Sequence, residues 1–200
     1  MFEAYITQFL KETEQIAQKL QAEKVPVIEK MITVIQETKE KQGRVFFVGI
    51  GGGAGTGSHS ANDFNKIAGI STMCLTDNPS LFTALANDEG WDSFFWRQMQ
   101  MHHFGQTDTL FVYSVGGGSA TTSSNLVKAV EYAKAQGGKI VGVVGKPQGR
   151  TQELGDAVLV IPLMHESRIT PHSESWQLVL DHIIVTALQK VKVVRVVEAE

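Results

Sequence analysis

Residues 44–57 read RVFFVGIGGGAGTG, an apolar run that passes directly into a cluster of glycines. A short, near-continuous apolar run is typical of a strand buried on both faces, as the strands of parallel sheets are. Glycine has no side chain, so it allows the tight turn that leads from such a strand into a helix. The stretch therefore predicts a strand, a glycine loop and a helix in succession.

Similar apolar runs recur along the chain, with helical patterns between them. The predicted strands are Arg44–Ile50, Thr72–Leu75, Thr109–Ser114, Lys139–Val144 and Ala157–Ile161. The predicted helices are Ser58–Ala68, Ser80–Asn87, Trp91–His103, Thr122–Gln136 and Ser173 to about Lys190. The last of these is apolar almost all round, which predicts burial at a subunit interface. Strands that alternate with helices in this way predict an α/β fold with a doubly wound five-stranded parallel sheet.

The first 43 residues have a different pattern, two amphipathic helices in a row before any strand. Lys24-Val25-Pro26 separates the two helices, and Gly43 ends the second. Two such helices cannot bury both apolar faces against each other, so we expect them to contact a partner subunit. The chain is thus predicted to be one domain over residues 1–200, with a helical hairpin at 1–43 used in oligomerisation and a core at 44–200.

The composition excludes several classes of protein. With 18 basic and 21 acidic side chains the net charge is −3, which does not favour a binder of nucleic-acid phosphates. A single cysteine cannot form an internal disulfide. The apolar runs are too short to span a bilayer, and the polar first helix does not resemble a signal peptide. We therefore expect no nucleic-acid partner, no membrane partner and a cytoplasmic location.

Glycines cluster at residues 49–57 and 116–118, each time just after a predicted strand. Ligands of parallel sheets bind at the carboxyl ends of the strands, and exposed N–H groups at a helix start attract anions. The second cluster adds hydroxyl groups, from Ser114, Ser119, Thr121, Thr122, Ser123 and Ser124. The two loops together predict an anion site, most like one for a phosphomonoester. The alternative is that the glycines only make tight turns and a hydroxyl only caps a helix.

A dinucleotide is the weaker interpretation of the first loop. Gly49-x-Gly51-x-x-Ala54 matches a permissive fingerprint, but Asp77 follows later than the ~20 residues such sites use. The chain also has no Gly-Lys-Ser or Gly-Lys-Thr after a glycine loop, so a Walker-type phosphate site is excluded. We therefore expect no nucleotide cofactor.

Two pairs of titratable side chains lie on predicted helices. His59 and Asp63 are four residues apart and share one helix face, as Glu174 and His182 do on the last helix. Two histidines and two carboxylates can hold a divalent metal or transfer protons next to a carbonyl. The alternatives are a surface salt bridge for the first pair and a satisfied core histidine for His182.

Taken with the glycine loops, these residues resemble the sugar isomerase (SIS) domain family, and within it the phosphoheptose isomerase branch. The motifs that carry the resemblance are FVGIGGGA at 47–54, LTDN at 75–78, AND at 86–88 and SVGGGS at 114–119, with His59, Asp63 and His182. The helical pair at the start of the chain is similar too, so the resemblance covers nearly the whole sequence. It implies a SIS-type, flavodoxin-like fold and a cytoplasmic homotetramer.

The resemblance also implies an activity, the conversion of sedoheptulose 7-phosphate to D-glycero-D-manno-heptose 7-phosphate through an enediol, with zinc beside the sugar. It implies Asp63, Glu174 and His182 as catalytic groups, and His59, Asp63, Glu174 and His182 as metal ligands. The implied substrate contacts are Gly51, Gly52, Gly53, Asp77, Asn78, Ser114, Gly116, Gly117, Ser119 and Ser124.

The sequence departs from the family pattern in both loops and in both carboxylates. Ile50-Gly51-Gly52-Gly53 replaces the usual Asn-Gly-Gly-Ser, and the second loop has more glycine. Asp63 stands where the family has glutamate, and Glu174 where many members have glutamine, so either carboxylate is a candidate base. The alternative function is a non-catalytic SIS protein that binds a sugar phosphate or a protein partner.

Overall fold

The computed structural model describes residues 2–119 and 121–197, and its centre is a five-stranded parallel sheet. The strands are β1 (Val45–Gly49), β2 (Thr72–Cys74), β3 (Thr109–Ser114), β4 (Lys139–Val144) and β5 (Ala157–Val160). Their order is β2-β1-β3-β4-β5, and every neighbouring pair is parallel. The predicted doubly wound α/β sheet is therefore confirmed, with the change in strand order between β1 and β3.

Helices cover both faces of this sheet. They are α1 (Glu3–Glu23), α2 (Val25–Glu40), α3 (Gly52–Asp63), α4 (Pro79–Asp88), α5 (Phe94–Met101), α6 (Ser124–Ala135), α7 (Arg150–Leu154) and α8 (Ile169–Val197). Helix α7 was not predicted, because five residues are too few to show a helical period. None of the described helices has an apolar stretch long enough to cross a membrane.

The apolar strands divide their side chains between two cores. Phe47 and Tyr113 point to the face covered by α1, α2, α3 and α8, while Phe46 and Val112 point to the face covered by α4, α5 and α6. All four side chains are fully buried. Each such burial contributes roughly 1.5–3 kcal/mol, which explains why successive positions in the middle of the strands are apolar rather than alternate ones.

Helix α3 begins at Gly52, six residues before its predicted start at Ser58. Glycine disfavours helix by about 1 kcal/mol per residue, so this segment did not look helical in the sequence. Tertiary packing outweighs that preference here. A Cβ atom at Gly53 would lie 2.7 Å from the carbonyl oxygen of Tyr113, and one at Gly57 would lie 3.2 Å from Sγ of Cys74. Glycine lets α3 lie directly on the sheet.

The two N-terminal helices are tied to the rest of the chain by a buried ion cluster. Glu12 of α1 accepts a hydrogen bond of 2.7 Å from Nε of Arg168, and His172 Nε2 lies 3.0 Å from the same carboxylate oxygen. Hydrogen bonds from Arg168, with help from Gln8 and His172, hold the pKa of Glu12 well below its usual range. The hairpin is thus an integral part of the fold.

The outer faces of α1 and α8 are apolar and uncovered in the single chain. Phe2, Tyr5, Ile6 and Leu10 of α1 are exposed, as are Leu178, Val179 and Ile183 of α8. Within the single chain α8 is buried on one side only, and the predicted burial of its other side at a subunit interface stays a prediction. Its inner face packs on the sheet, while its outer face borders an apolar groove of about 540 Å³ between α1, α2 and α8.

Candidate active site

Helices α3 and α8 lie side by side and bring three of the predicted site residues together. Nε2 of His59 lies 3.0 Å from Nε2 of His182 and 3.1 Å from Oδ2 of Asp63. The same oxygen of Asp63 is 3.7 Å from Nε2 of His182. The His59–Asp63 contact follows from the four-residue spacing on α3, whereas the contact with His182 depends on how α8 packs against α3.

Asp63 lies at the centre of this group. Its side chain is 11% exposed, whereas those of His59 and His182 are 43% and 52% exposed. The other carboxylate oxygen, Oδ1, accepts a hydrogen bond of 2.9 Å from the amide of Asn62. Asp63 is also the last residue of α3 before a π-helical turn over Phe64–Ala68, a local irregularity that is frequent at functional sites.

Asp181 joins the same cluster and was not singled out in the sequence. One of its carboxylate oxygens, one of Asp63 and one ring nitrogen each of His59 and His182 lie within 4.8 Å of one another. Asp181 is fully buried, and burial raises its pKa from the usual value. One feature of the sequence could have indicated Asp181. It is a charged residue within an apolar stretch of the last helix, as the neighbouring His182 is a polar one.

Glu174 is not among the four residues whose ligand atoms lie within 4.8 Å of one another. Its carboxylate covers Gly52 at the start of α3, where a Cβ atom would overlap it. Eight residues separate Glu174 from His182, so at about 1.5 Å per residue the two positions are ~12 Å apart along α8. Two helical turns of α8 thus lie between the two backbone positions. Glu174 therefore faces the helix N-terminus, whose partial positive charge favours a carboxylate.

The first glycine loop connects β1 to α3 through a sharp turn at Gly51. The φ angle of Gly51 is +60°, a conformation that residues with a side chain rarely adopt. Gly51 and Gly52 are exposed at the carboxyl end of β1, while Gly53 is buried against β3. Of the three predicted substrate contacts in this loop, two are thus accessible and one serves packing.

The second loop, after β3, is shaped by its own hydroxyl groups. Oγ of Ser114 accepts a hydrogen bond of 3.0 Å from the backbone N–H of Gly117. Oγ of Ser119 accepts one of 3.1 Å from the N–H of Thr122. Gly116 is exposed, and Ser124, the first residue of α6, donates its hydroxyl hydrogen to Asp92. Of these hydroxyls, that of Ser124 lies at the start of α6, where the helix dipole favours an anion.

Asp77 and Asn78 lie in the exposed turn after β2. Oδ1 of Asn78 accepts a hydrogen bond of 3.1 Å from the N–H of Leu81 and so caps α4. This capping role is sufficient to explain the Asn-Pro sequence at the helix start.

The sequence as a whole was compared with known families and proteins. Residues 8–145 match the model of the SIS domain, which is more than half of the chain. The chain belongs to the SIS-domain family. The resemblance seen in the glycine loops and the histidines is therefore confirmed at the level of the family.

The relatives of this SIS domain include phosphoheptose isomerases. The chain is 31% identical over 187 residues to the phosphoheptose isomerase of Burkholderia pseudomallei strain 1710b, covering 90% of each chain. It is 29% identical over 169 residues to that of Aneurinibacillus thermoaerophilus, covering 82% of this chain and 81% of the relative. The structure of phosphoheptose isomerase GmhA from Neisseria gonorrhoeae superposes with a TM-score of 0.83 at 20% identity, covering 95% of this chain and all of the other.

The donor set of this SIS domain fits a divalent metal. Imidazole nitrogens and carboxylate oxygens are both ordinary ligands of zinc, and the cluster offers two of each. One oxygen of Asp181, Oδ2, is buried and has no hydrogen-bond partner among the described residues. An unpartnered acceptor beside three possible ligand atoms is an arrangement that a cation would complete.

Proposed function

We propose that this SIS domain isomerises sedoheptulose 7-phosphate to D-glycero-D-manno-heptose 7-phosphate. The observation that carries the proposal is the His59–Asp63–His182 cluster, with its contacts of 3.0 and 3.1 Å. It occurs in a chain that matches a phosphoheptose isomerase over 90% of both lengths. A SIS protein that only binds a sugar phosphate has no need of this combination of imidazoles and carboxylates.

The second loop holds the phosphate in this proposal. Its serine hydroxyls and the exposed backbone at Gly116 offer hydrogen-bond donors at the start of α6, and no lysine or arginine lies within Ser114–Ser124. Neutral donors with a helix dipole bind a phosphate dianion without a full positive charge. The loop would anchor one end of an open-chain sugar and leave its carbonyl end free to react.

Glu174 is the proposed base that removes the proton next to the carbonyl. Asp63 is the less suitable base, because Oδ1 accepts from Asn62 and Oδ2 faces both histidines. The Glu174 carboxylate instead lies over Gly52, beside the exposed glycines at the carboxyl end of β1. Removal of this proton gives a cis-enediol, and return of a proton to the neighbouring carbon completes the isomerisation. His182 would move the proton between the two oxygens.

Zinc is the proposed metal, with His59, Asp63 and His182 as ligands. A bound zinc ion would polarise the substrate carbonyl and stabilise the negative charge that develops on its oxygen. In its absence Asp63 still orients both imidazole rings, since each Nε2 faces the same carboxylate oxygen.

A homotetramer is the proposed assembly. The exposed apolar side chains of α1 and α8 lie on neighbouring helices that border one groove. Contiguous apolar surface of this kind is typical of subunit interfaces. His182 lies on the same helix as the exposed Leu178, Val179 and Ile183, so assembly would also enclose the exposed edge of the site.

The test is an isomerase assay on the purified full chain, with sedoheptulose 7-phosphate and with ketohexose 6-phosphates as competitors, before and after chelation. We expect turnover of the heptulose phosphate and at least tenfold lower kcat/KM for the hexose phosphates. Faster turnover of a hexose phosphate would overturn the substrate. Binding of both sugars without turnover by either would favour the non-catalytic alternative.

A further inference from the structure

Asp181 is a buried carboxylate that the proposed reaction does not use. It lies on α8 directly before His182, and no part of it is exposed. Taking a carboxylate out of water is costly unless hydrogen bonds or an opposite charge compensate it. The buried carboxylate of Asp181 therefore requires such a compensating group.

The hydrogen bonds that Asp181 accepts compensate its buried charge only weakly. The hydroxyl of Tyr113 donates to Oδ1 of Asp181 at 3.5 Å, which is the outer limit of a hydrogen bond. The same hydroxyl is 3.0 Å from Oγ of Ser60, whose own hydrogen is donated to the carbonyl of Thr56 at 2.9 Å. Ser60 is also a hydrogen-bonding neighbour of the Asp181 carboxylate. The other oxygen, Oδ2, has no partner within the described part of the chain.

Among the described residues, the positively charged or metal-binding groups next to Asp181 are on the side of the histidines. The nearby titratable groups from α3 and α8 are His59, Asp63 and His182, and one of these is a second carboxylate. Nε2 of His59 and Nε2 of His182 face each other at 3.0 Å, and Oδ2 of Asp63 lies 3.1 Å from the first and 3.7 Å from the second. A divalent cation between these groups would compensate both carboxylates at once.

We propose that Asp181 is the fourth protein ligand of the metal and completes a site with two histidines and two aspartates. This inference rests on the proposed function in that the metal serves the same site. Two nitrogens and two carboxylate oxygens are a set that tetrahedral zinc accepts. Asp181 would close the site from the buried side, while Tyr113 and Ser60 orient it as outer-shell partners. Glu174, whose carboxylate lies over Gly52, is left free of the metal.

The experiment measures metal binding rather than turnover. Zn²⁺ affinity by competition with a chromophoric chelator and the visible spectrum of the Co²⁺-loaded protein are compared among wild type, Asp181→Asn, Glu174→Gln and Asp88→Asn. Asp88 is an exposed carboxylate at the end of α4 and serves as the matched control. We expect Asp181→Asn to weaken Zn²⁺ binding by at least about tenfold, the lower bound known for outer-shell partners, and to change the Co²⁺ spectrum. Glu174→Gln and Asp88→Asn should leave both unchanged.

Folding is checked separately, by the thermal midpoint of each chelated protein. Asparagine removes a poorly compensated buried charge, so metal-free Asp181→Asn should melt at or above the wild-type temperature. If Asp181→Asn does not fold, the Glu174→Gln variant still tests the inference. Loss of the Co²⁺ spectrum in Glu174→Gln would show that Glu174, and not Asp181, is the fourth metal ligand. Wild-type affinity and spectrum in Asp181→Asn would overturn the inference.

The inference and the proposed function can fail independently. A wild type that isomerises the sugar but binds no divalent metal would overturn the role of Asp181 alone. A wild type that binds the metal through Asp181 but turns over no phosphosugar would support the inference and overturn the proposed reaction.

Discussion

The two glycine loops end neighbouring strands, β1 and β3, yet glycine is needed in them for different reasons. In the first loop the main reason is space, since Cβ atoms at Gly49 and Gly53 would meet the backbone of Gly53 and of Tyr113, and a positive φ angle occurs there only at Gly51. In the second the reason is conformation, since Gly117 and Gly118 have φ angles of +70° and +80°. The first loop therefore allows α3 to pack closely on the sheet. The second loop forms turns whose N–H groups donate hydrogen bonds to serine hydroxyls.

This difference predicts different kinetic roles for the two loops. Groups that depend on the first loop should control the chemical step, because Glu174 lies over Gly52 and α3 carries His59 and Asp63. Groups of the second loop should control the binding of the phosphate. Three substitutions test this division of roles.

The largest effect is expected from Glu174→Gln, which keeps the size of the side chain and removes the base. We expect kcat for sedoheptulose 7-phosphate to fall about 10²–10⁴-fold with little change in KM, measured by steady-state kinetics. Glu166→Gln, an exposed substitution in the loop before α8, is the control and should retain wild-type kcat. A kcat within threefold of wild type for Glu174→Gln would return the role of base to Asp63.

A smaller effect is expected from Gly53→Ala, which tests the packing of the first loop. The added methyl would lie 2.7 Å from the Tyr113 carbonyl, so we expect a loss of about 1–3 kcal/mol in the free energy of unfolding, measured with urea. Gly55 is the matched control, because a methyl there meets no atom within 4 Å. Gly55→Ala should instead stabilise α3 by roughly 0.5–1 kcal/mol. Equal destabilisation by both would show that the loss does not come from the contact between position 53 and the Tyr113 carbonyl.

The smallest effect is expected from Ser119→Ala in the second loop. It removes a hydroxyl that could donate to phosphate and that accepts from the N–H of Thr122. A lost hydrogen bond to a charged group should raise KM about tenfold, equivalent to ~1.4 kcal/mol, and leave kcat unchanged. Ser80→Ala, at an exposed serine of α4, should change neither constant. A fall in kcat for Ser119→Ala would mean that the two loops do not divide their tasks.

The sheet could be predicted from the sequence because burial on both faces leaves a local mark. Each observed strand end lies within one residue of its predicted position, since apolar runs stop where the strands reach the surface. The start of α3 could not be predicted in the same way. Its first turns contain Gly52, Gly53 and Gly55, and what stabilises them is contact with β3, which is distant in sequence.

The site was predictable only in part for a related reason. His59 and Asp63 meet because of helical spacing, which sequence shows directly. The position of Glu174 over Gly52 depends on the lateral packing of α8 against α3, which spacing does not give. Asp181 could not be identified from the sequence, because its neighbours Ser60 and Tyr113 are distant from it along the chain and approach it only in the folded protein.

The pairing of Glu12 with Arg168 joins residues that are 156 positions apart. A chain that began at residue 44 would leave the largely buried Arg168 guanidinium and the buried His172 without their carboxylate. The boundary at residue 43 therefore separates two sequence patterns but not two units of folding. A ribosome must release nearly the whole chain before this contact can form, so the hairpin, although synthesised first, can reach its final place only near the end of synthesis.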